Sequence, residues 1–248
     1  MHSTRSVIIF GAVMCTLVAF ILAGMYNFLK PIHDRNEAVY NKKAILSAVA
    51  EHIEGDFGKF NDSQIQDIFT KQIEQVVVDA SGDKVESGTI ESLGYVGGLA
   101  ENVDTAKEAK KDAEDQVLPV FIFTKTDGKK FYILHTRGKG LWDTIWGNIA
   151  FEDDLNTIAG VSFDHTAETP GLGAEIKDNA AWANQFVGKK IYNDDGSFRS
   201  VFVRKGGAKD PVFEVDGISG ATITADGVTE MLARGLKYYE PFLNTVKG

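Results

Sequence analysis

The segment from Asp216 to Thr224 combines residue types that suit a phosphate group. It follows an apolar, strand-like run at 211–215 and precedes a helical pattern that starts near Ala225. Gly217 and Gly220 allow the backbone to approach a ligand closely. The following helix directs unpaired N–H groups and a partial positive charge toward its own beginning. Hydroxyl groups come from Ser219, Thr222 and Thr224.

Two other interpretations of this segment stay open at the level of spacing. Ser and Thr residues ahead of a helix commonly cap it by accepting backbone N–H bonds. The run from Gly217 to Ala221 also resembles the nucleophile elbow of a serine hydrolase, with Ala in place of its final Gly. In that class the histidine follows the serine, whereas every histidine here precedes Ser219. The histidines are His2, His33, His52, His135 and His165.

A second segment, from His165 to Ile176, contains a Pro-Gly-Leu-Gly turn after Glu168 and Thr169. Its glycines permit tight backbone turns, and Thr169 offers a hydrogen bond to a ligand. A tight loop ahead of a predicted helix at 178–187 explains the same residues equally well. We interpret His165 as a structural loop residue.

A third segment, from Gly138 to Gly147, carries two tryptophans. Trp142 offers an aromatic face on which a planar ring can stack. The spacing of Trp142 and Trp146 equally fits two side chains four positions apart on a helix, packed into the core.

The three segments together resemble the FMN-binding family shared by the sodium-translocating NADH:quinone reductase and its Rnf relative. Asp216-x-x-Ser219-Gly220-Ala221-Thr222 matches the flavinylation motif of that family, and Glu-Thr-Pro-Gly-Leu-Gly is a second signature. In the family, a flavin transferase moves FMN from FAD onto the threonine that ends the motif. By position that residue is Thr222, and the resemblance covers nearly the whole chain.

The resemblance implies a flavin site in which Thr222 carries FMN through a phosphoester bond. Residues alone do not distinguish Thr222 from Thr224; only the family match does. The implied site contains no catalytic residue and no metal ligand. Its other cofactor-binding residues are Asp216, Ser219, Gly220, Ala221, Thr224, Trp142, Glu168, Thr169, Gly171, Leu172 and Gly173.

The Gly-Leu-Trp run resembles the C subunit of the sodium-translocating reductase, and this implies the function. The chain would be an electron-carrier subunit of an NADH:ubiquinone reductase, passing electrons one at a time among other subunits of a membrane complex. It has no Gly-x-Gly-x-x-Gly nucleotide motif and no charge in its apolar span, so we expect neither an NADH nor a sodium site. Alternatives are an Rnf-type flavin subunit, a membrane-anchored serine hydrolase or a non-redox envelope interaction module.

Composition excludes several classes of partner and site. The 248 residues carry a formal net charge of −9, which disfavours nucleic-acid binding. Cys15 is the single cysteine, so neither an intrachain disulfide nor a cysteine metal cluster can form.

Residues 7–29 contain no charged side chain and predict a membrane span. As a helix they extend about 34 Å, enough for a hydrocarbon layer of about 30 Å. A cleaved signal peptide is the rival, but its apolar run is shorter and ends at small residues. We therefore predict an anchor at 1–35 and an FMN-binding domain at 36–248, in the bacterial inner membrane with the domain outside the cytoplasm.

The remaining pattern predicts an α+β fold, in which one transmembrane helix precedes a globular domain with antiparallel hairpins and packed helices. Residues 101–116 are polar on all sides and indicate a solvated insertion. We expect a helical stripe at 36–52 and helices at 178–187 and 225–240. Strands are predicted at 76–79, 117–125, 130–136, 157–163, 189–193, 198–204 and 211–215.

Overall fold

The computed structural model describes residues 3–247, so His2 and the other terminal residues lie outside the described part of the chain. Its helices are α1 (Thr4–Ser47), α2 (Asp62–Gln72), α3 (Ser87–Ser92), α4 (Thr105–Glu108), α5 (Glu175–Asp178), α6 (Ala180–Ala183), α7 (Thr222–Tyr238) and α8 (Glu240–Lys247). Its strands are β1 (Ile73–Val78), β2 (Leu118–Thr124), β3 (Lys130–Lys139), β4 (Thr144–Phe151), β5 (Ile158–His165), β6 (Phe202–Arg204) and β7 (Glu214–Asp216).

Helix α1 contains the predicted membrane span and is long and apolar enough to cross a membrane. It continues to Ser47, so residues 36–47 of the stripe predicted at 36–52 belong to α1, whereas Ala50–His52 form a separate 3-10 turn. The described chain divides into two compact units, with the boundary between Asn41 and Lys42. The domain boundary predicted after residue 35 stays a prediction.

The five strands β1 to β5 form one antiparallel sheet in chain order. The predicted hairpin between 117–125 and 130–136 is confirmed, with Val120 opposite Leu134 and Thr124 opposite Lys130. Its turn is stabilised by the side chain of Asp127, whose Oδ1 accepts the backbone N–H of Lys129 at 2.9 Å. The α+β fold class is thereby confirmed.

The later strands differ from the prediction. Strands β6 and β7 are three residues each and pair in parallel, as a separate two-stranded sheet. Residues 189–193 form no strand, and only isolated bridges join Thr157 to Lys190 and Tyr192 to Phe198. The apolar runs in this region form extended loops instead. Their backbone hydrogen bonds are made to neighbouring loops, such as the bond from Lys190 N–H to Val212 O at 3.1 Å.

Two predicted helices have different bounds. The helix predicted at 178–187 is divided at Asn179, which leaves the helical region (φ −101°, ψ 89°) and caps α6 through Trp182 N. The helix predicted from residue 225 begins three residues earlier, at Thr222. The first turn carries few apolar residues, so periodicity alone does not reveal it.

The segment 101–116 is only partly solvated, which corrects the expectation of a solvated insertion. Glu108 is buried, and its carboxyl group accepts the Tyr95 hydroxyl and the backbone N–H of Val117, the latter at 2.9 Å. Lys111 completes its surroundings with an ion pair of 2.7 Å. The segment is therefore tied to the domain by a buried carboxyl group that polarity patterns do not reveal.

The core lies between the five-stranded sheet and α7. Val228, Met231 and Leu236 of α7 are fully buried in the same cluster as Leu134 and Ile149 of the sheet. At the far end of the helix, the Tyr239 hydroxyl lies 2.9 Å from Pro119 O and 3.0 Å from His135 O. These contacts hold α7 against the sheet.

Ser200 holds a left-handed backbone conformation that favours glycine (φ 70°), and its buried hydroxyl has no hydrogen-bond partner among residues 3–247. Ser200→Gly removes both costs, so we expect it to stabilise the protein by about 1 kcal/mol after the extra freedom of glycine in the unfolded chain is subtracted. The measurement is chemical denaturation of the full chain in detergent. Ser200→Ala keeps the strained backbone and is expected to gain less; an equal gain would contradict the strain.

Candidate functional site

The loop between β7 and α7 is anchored at Asp216. Its backbone N–H donates to Gln185 Oε1 at 2.9 Å, and its carbonyl accepts the indole N–H of Trp182 at 2.7 Å. Its side chain accepts the backbone N–H of Ala208 at 2.8 Å. Backbone and side chain of this one residue thus bind two other parts of the domain, which fixes where the loop leaves the small sheet.

The loop turns into α7 at Gly220 and Ala221. Gly220 has φ +75°, and a Cβ atom there would lie 2.7 Å from Leu172 Cδ2, so both backbone conformation and space favour glycine. Ala221 occupies the N-cap position, and no side chain caps the helix. The interpretation of Ser219, Thr222 and Thr224 as helix caps is therefore wrong.

Thr222 and Thr224 differ sharply in their surroundings. Thr222 is the first residue of α7 and half-buried, and within residues 3–247 its hydroxyl makes no hydrogen bond. Thr224 is only 1% exposed, and its hydroxyl donates to Glu168 Oε2 at 2.6 Å. One hydroxyl is available for chemistry, and the other is committed inside the fold.

Glu168 joins three segments of the site. It is 5% exposed, and while Oε2 accepts from Thr224, Oε1 accepts the backbone N–H of Trp142 at 3.0 Å. The backbone N–H of Glu168 donates to His165 Nδ1 at 3.1 Å, which gives His165 the structural role expected of it. All three segments singled out in the sequence therefore meet at one carboxyl group.

Trp142 stands at the surface of the site with 65% of its area exposed. Its indole N–H donates to Thr169 Oγ1 at 3.1 Å, which fixes the ring beside the Pro-Gly-Leu-Gly turn. Trp146 lies on β4, half-buried, with the Arg137 guanidinium 5.7 Å from its ring centroid. The alternative that both tryptophans pack into the core from a helix is wrong.

Two clefts flank the loop that follows β7. One has a volume of about 600 Å³ and includes Gly171, Trp182 and the loop residues 216–219. The other has a volume of about 550 Å³ and is lined by Thr222 and by the segment 205–207. Thr222 is half-buried and lines an open cleft.

The residues around Thr222 fit a phosphate group. In the part of the chain that the structure describes, the first backbone N–H groups of α7 have no partner within the helix and no capping side chain, so they are available to an anion. Lys205 lines the same cleft, and its ammonium group forms no ion pair within the described residues. Asp216 and Asp226 also line the cleft, so their negative charges oppose that of Lys205. Binding of a phosphate there therefore depends mainly on the N–H groups at the beginning of α7.

Sequence reasoning missed Lys205 and the residues that hold its loop. Glu214 accepts the backbone N–H groups of Lys209 and Asp210 at 2.9 and 3.1 Å, and Arg204 Nε donates to it at 2.7 Å. The charged pattern at 204–214 carried a weak signal for an ion pair but none for its partners. The carboxyl group of Glu214 therefore shapes the loop that forms one side of the Thr222 cleft.

Glu214→Gln is expected to lower the melting temperature at neutral pH and to have little effect near pH 2. The N–H of Lys209, the guanidinium of Arg204 and the N–H of Asp210 lower the pKa of Glu214 from 4.5 to about 2. A carboxyl group whose pKa is lower in the folded state stabilises the protein above its unfolded pKa. This stability is lost as the pH falls from about 4.5 toward 2.

The measurement is the melting temperature of the wild type and Glu214→Gln between pH 2 and 7. Glu91→Gln is the control, because Glu91 is exposed on α3 and makes no ion pair within the described residues. A difference between wild type and Glu214→Gln that stays constant across this range would contradict the assignment.

The arrangement does not support a serine hydrolase. Ser219 is exposed, and within the described residues its hydroxyl bonds to no histidine. His135 Nδ1 bonds Asn148 at 3.0 Å, and His165 Nδ1 accepts from Glu168. A nucleophile without an adjacent base lacks the activation that this chemistry requires.

Comparison with known proteins gives consistent matches. The family model for the FMN-binding domain matches residues 140–237, which include the segments 165–176 and 216–224 and, from residue 140 onward, the segment that carries Trp142. The C subunit of the Na(+)-translocating NADH-quinone reductase of Pseudomonas aeruginosa is 32% identical over 256 residues, covering 93% of this chain and 90% of that protein. Its counterpart from Neisseria meningitidis serogroup A is 32% identical, over 98% of this chain and 93% of its own.

Solved structures agree with these matches. A crystal structure of the C subunit of the Na(+)-translocating NADH-quinone reductase from Parabacteroides distasonis aligns with a TM-score of 0.72 and 37% identity, covering 87% of this chain and 96% of that one. Shewanella oneidensis NqrC aligns with a TM-score of 0.66 and 26% identity, over 86% of this chain and 97% of its own.

Proposed function

Because this chain belongs to the NqrC family, the C subunits of Na(+)-translocating NADH-quinone reductases, we propose that it carries FMN on Thr222 through a phosphoester bond. It serves as the flavin electron-carrier subunit of such a complex. The observation that supports this most directly is the free hydroxyl of Thr222 in the domain matched by the FMN-binding family. That hydroxyl lies beside a cleft at the beginning of α7.

Attachment of the flavin is a phosphoryl transfer from FAD, catalysed by a separate flavin transferase. Thr222 Oγ1 bonds to the phosphorus next to the riboflavin moiety, the P–O–P bond of FAD breaks, and AMP leaves. The hydroxyl proton passes to a base of the transferase or to solvent. No oxidation or reduction occurs in this step.

The chain then holds and orients the group. The N–H groups at the beginning of α7 and the ammonium of Lys205 bind the phosphate. The exposed face of Trp142 and the side chain of Leu172, which is 41% exposed, provide apolar surface for a planar ring. When bound, FMN supplies electron transfer, and the chain adjusts it through nearby charges and hydrogen bonds.

The placement of the chain in the cell follows the same proposal. It is a single-pass membrane protein, and we assign residues 1–35 to an anchor in the bacterial inner membrane and 36–248 to an extracytoplasmic FMN-binding domain. Its partners are the other subunits of the reductase, which bind NADH, quinone and sodium. The long coverage of the NqrC relatives favours this complex over an Rnf-type one.

The test is intact mass of the full chain, expressed with and without a flavin transferase and followed by peptide mapping. Cleavage after Lys209 and Arg234 releases a peptide of residues 210–234 that contains the whole motif. An FMN-sized adduct on that peptide, present only with the transferase, is the expected result. A folded chain that carries no adduct after co-expression would refute the covalent flavin.

A further inference from the structure

We propose that Glu168 is a positioning residue that fixes the first turn of α7 so that Thr222, and not Thr224, faces the flavin donor. This inference rests on the proposed attachment of FMN to Thr222. It also revises the expectation that Glu168 contacts the cofactor, because both of its carboxyl oxygens are already bonded to other parts of the protein.

The rotation of the first turn decides which hydroxyl is offered. Successive residues of an α-helix are related by a rotation of about 100° around its axis, so Thr222 and Thr224 are separated by about 200°. Their side chains therefore lie on nearly opposite sides of the helix. The 2.6 Å bond from Thr224 to Glu168 turns one side of the helix into the protein. The same rotation directs Thr222 toward the cleft that Lys205 also lines.

The carboxyl group of Glu168 has no room to move. A Cβ atom at Gly140 would lie 2.4 Å from its Oε1, and one at Gly173 would lie 2.1 Å from its Oε2. Two glycines from different segments therefore enclose the carboxyl group. A carboxyl group that is held on both sides and bonded at both oxygens is suited to fix the orientation of a helix.

Glu168 also joins the position of Thr222 to that of Trp142. Its Oε1 accepts the backbone N–H of Trp142, whose indole N–H bonds the next residue in the loop, Thr169. The side chain that we assign to the flavin face and the helix that carries the attachment point are thus held by the same carboxyl group. Loss of Glu168 is expected to disturb both.

The test is the initial rate of adduct formation when a flavin transferase and FAD are added to full-length chain purified without flavin. Thr224→Val preserves shape and removes the donor to Glu168, whereas Thr224→Ser keeps the donor. We expect Thr224→Val to lower the rate per folded molecule roughly 10-fold or more, which corresponds to about 1.4 kcal/mol of lost positioning. We expect Thr224→Ser to stay within about threefold of the wild type.

Val120→Ala separates positioning from stability. Val120 is fully buried on β2 and belongs to none of the three segments of the site, so this variant lowers the melting temperature through a core cavity. Positioning predicts a normal rate per folded molecule for Val120→Ala and a reduced rate for Thr224→Val. Equal rates for Thr224→Val and the wild type, or an equal reduction in Val120→Ala, would overturn the inference.

Glu168→Gln gives a second measurement if Thr224→Val does not fold. Glutamine keeps the volume of the side chain but replaces one carboxyl oxygen with an NH2 group. That NH2 group would face either the Thr224 hydroxyl or the Trp142 N–H, which are both donors to the present carboxyl group. We expect a reduced rate here as well, and a wild-type rate would overturn the inference. Absence of an adduct on the wild type itself would refute the proposed function, whereas an adduct that forms equally fast on every variant would refute this inference alone.

Discussion

On the proposed attachment of FMN to Thr222, the variant Thr222→Val is expected to carry no covalent flavin. Valine has the shape of threonine without its oxygen, so the helix and its first turn are retained while the atom that bonds phosphorus is lost. Thr224 does not replace it, because its hydroxyl is 1% exposed and bonded to Glu168. The full chain co-expressed with a flavin transferase is therefore expected to show the unmodified mass.

The measurement is intact mass together with fragmentation of the peptide 210–234. Thr126→Val is the control, because Thr126 is an exposed residue of the turn between β2 and β3, remote in sequence from the motif. We expect that variant to carry the full adduct. An adduct that remains on the peptide in Thr222→Val would place the flavin on another hydroxyl, and fragmentation would show whether it is Ser219 or Thr224.

Gly173→Ala is expected to destabilise the protein strongly, although it adds only one methyl group to the site. The new Cβ atom would lie 2.1 Å from Glu168 Oε2 and 2.7 Å from Thr224 Oγ1. The carboxyl group cannot retreat, because Gly140 encloses its other side. Overpacking and loss of hydrogen bonds to the carboxyl group together amount to roughly 3 kcal/mol or more.

The measurement is chemical denaturation of the full chain in detergent, with Gly88→Ala as the matched control. Gly88 lies in α3, and a Cβ atom added there would have no neighbour within 4 Å, so alanine meets open space. Helix propensity predicts that Gly88→Ala is neutral or stabilising by up to about 1 kcal/mol. Equal free energies of unfolding for the two variants would show that Glu168 moves freely.

Local patterns predict the parts of the site that depend on short stretches of chain. The hairpin between β2 and β3 follows from two alternating apolar runs around Asp127 and Gly128, and the structure confirms it. The position of Gly220 in a loop just before a helix predicts a tight turn at this residue. The family motif selects Thr222, and the structure adds a physical difference from Thr224 that the residue types alone do not contain.

The contacts that assemble the site lie beyond such patterns. Glu168 meets Trp142 across 26 residues and Thr224 across 56, and no local periodicity records a partner at that distance. Lys205 was missed for the same reason, because it enters the cleft only through the pairing of β6 with β7. Each of these strands is only three residues long, so their sequences do not indicate that they pair in parallel. The direction of pairing depends on the tertiary fold.

The hydrogen bonds that hold Asp216 have a consequence for the order of folding and flavin attachment. The groups that hold it belong to Trp182, 34 residues earlier, and Gln185, 31 residues earlier. Contacts between such separated residues form late, because the intervening chain must first be closed into a loop. On the proposed attachment, a transferase that requires the shaped loop would modify only folded molecules, and the flavin content of a preparation would then measure its folded fraction.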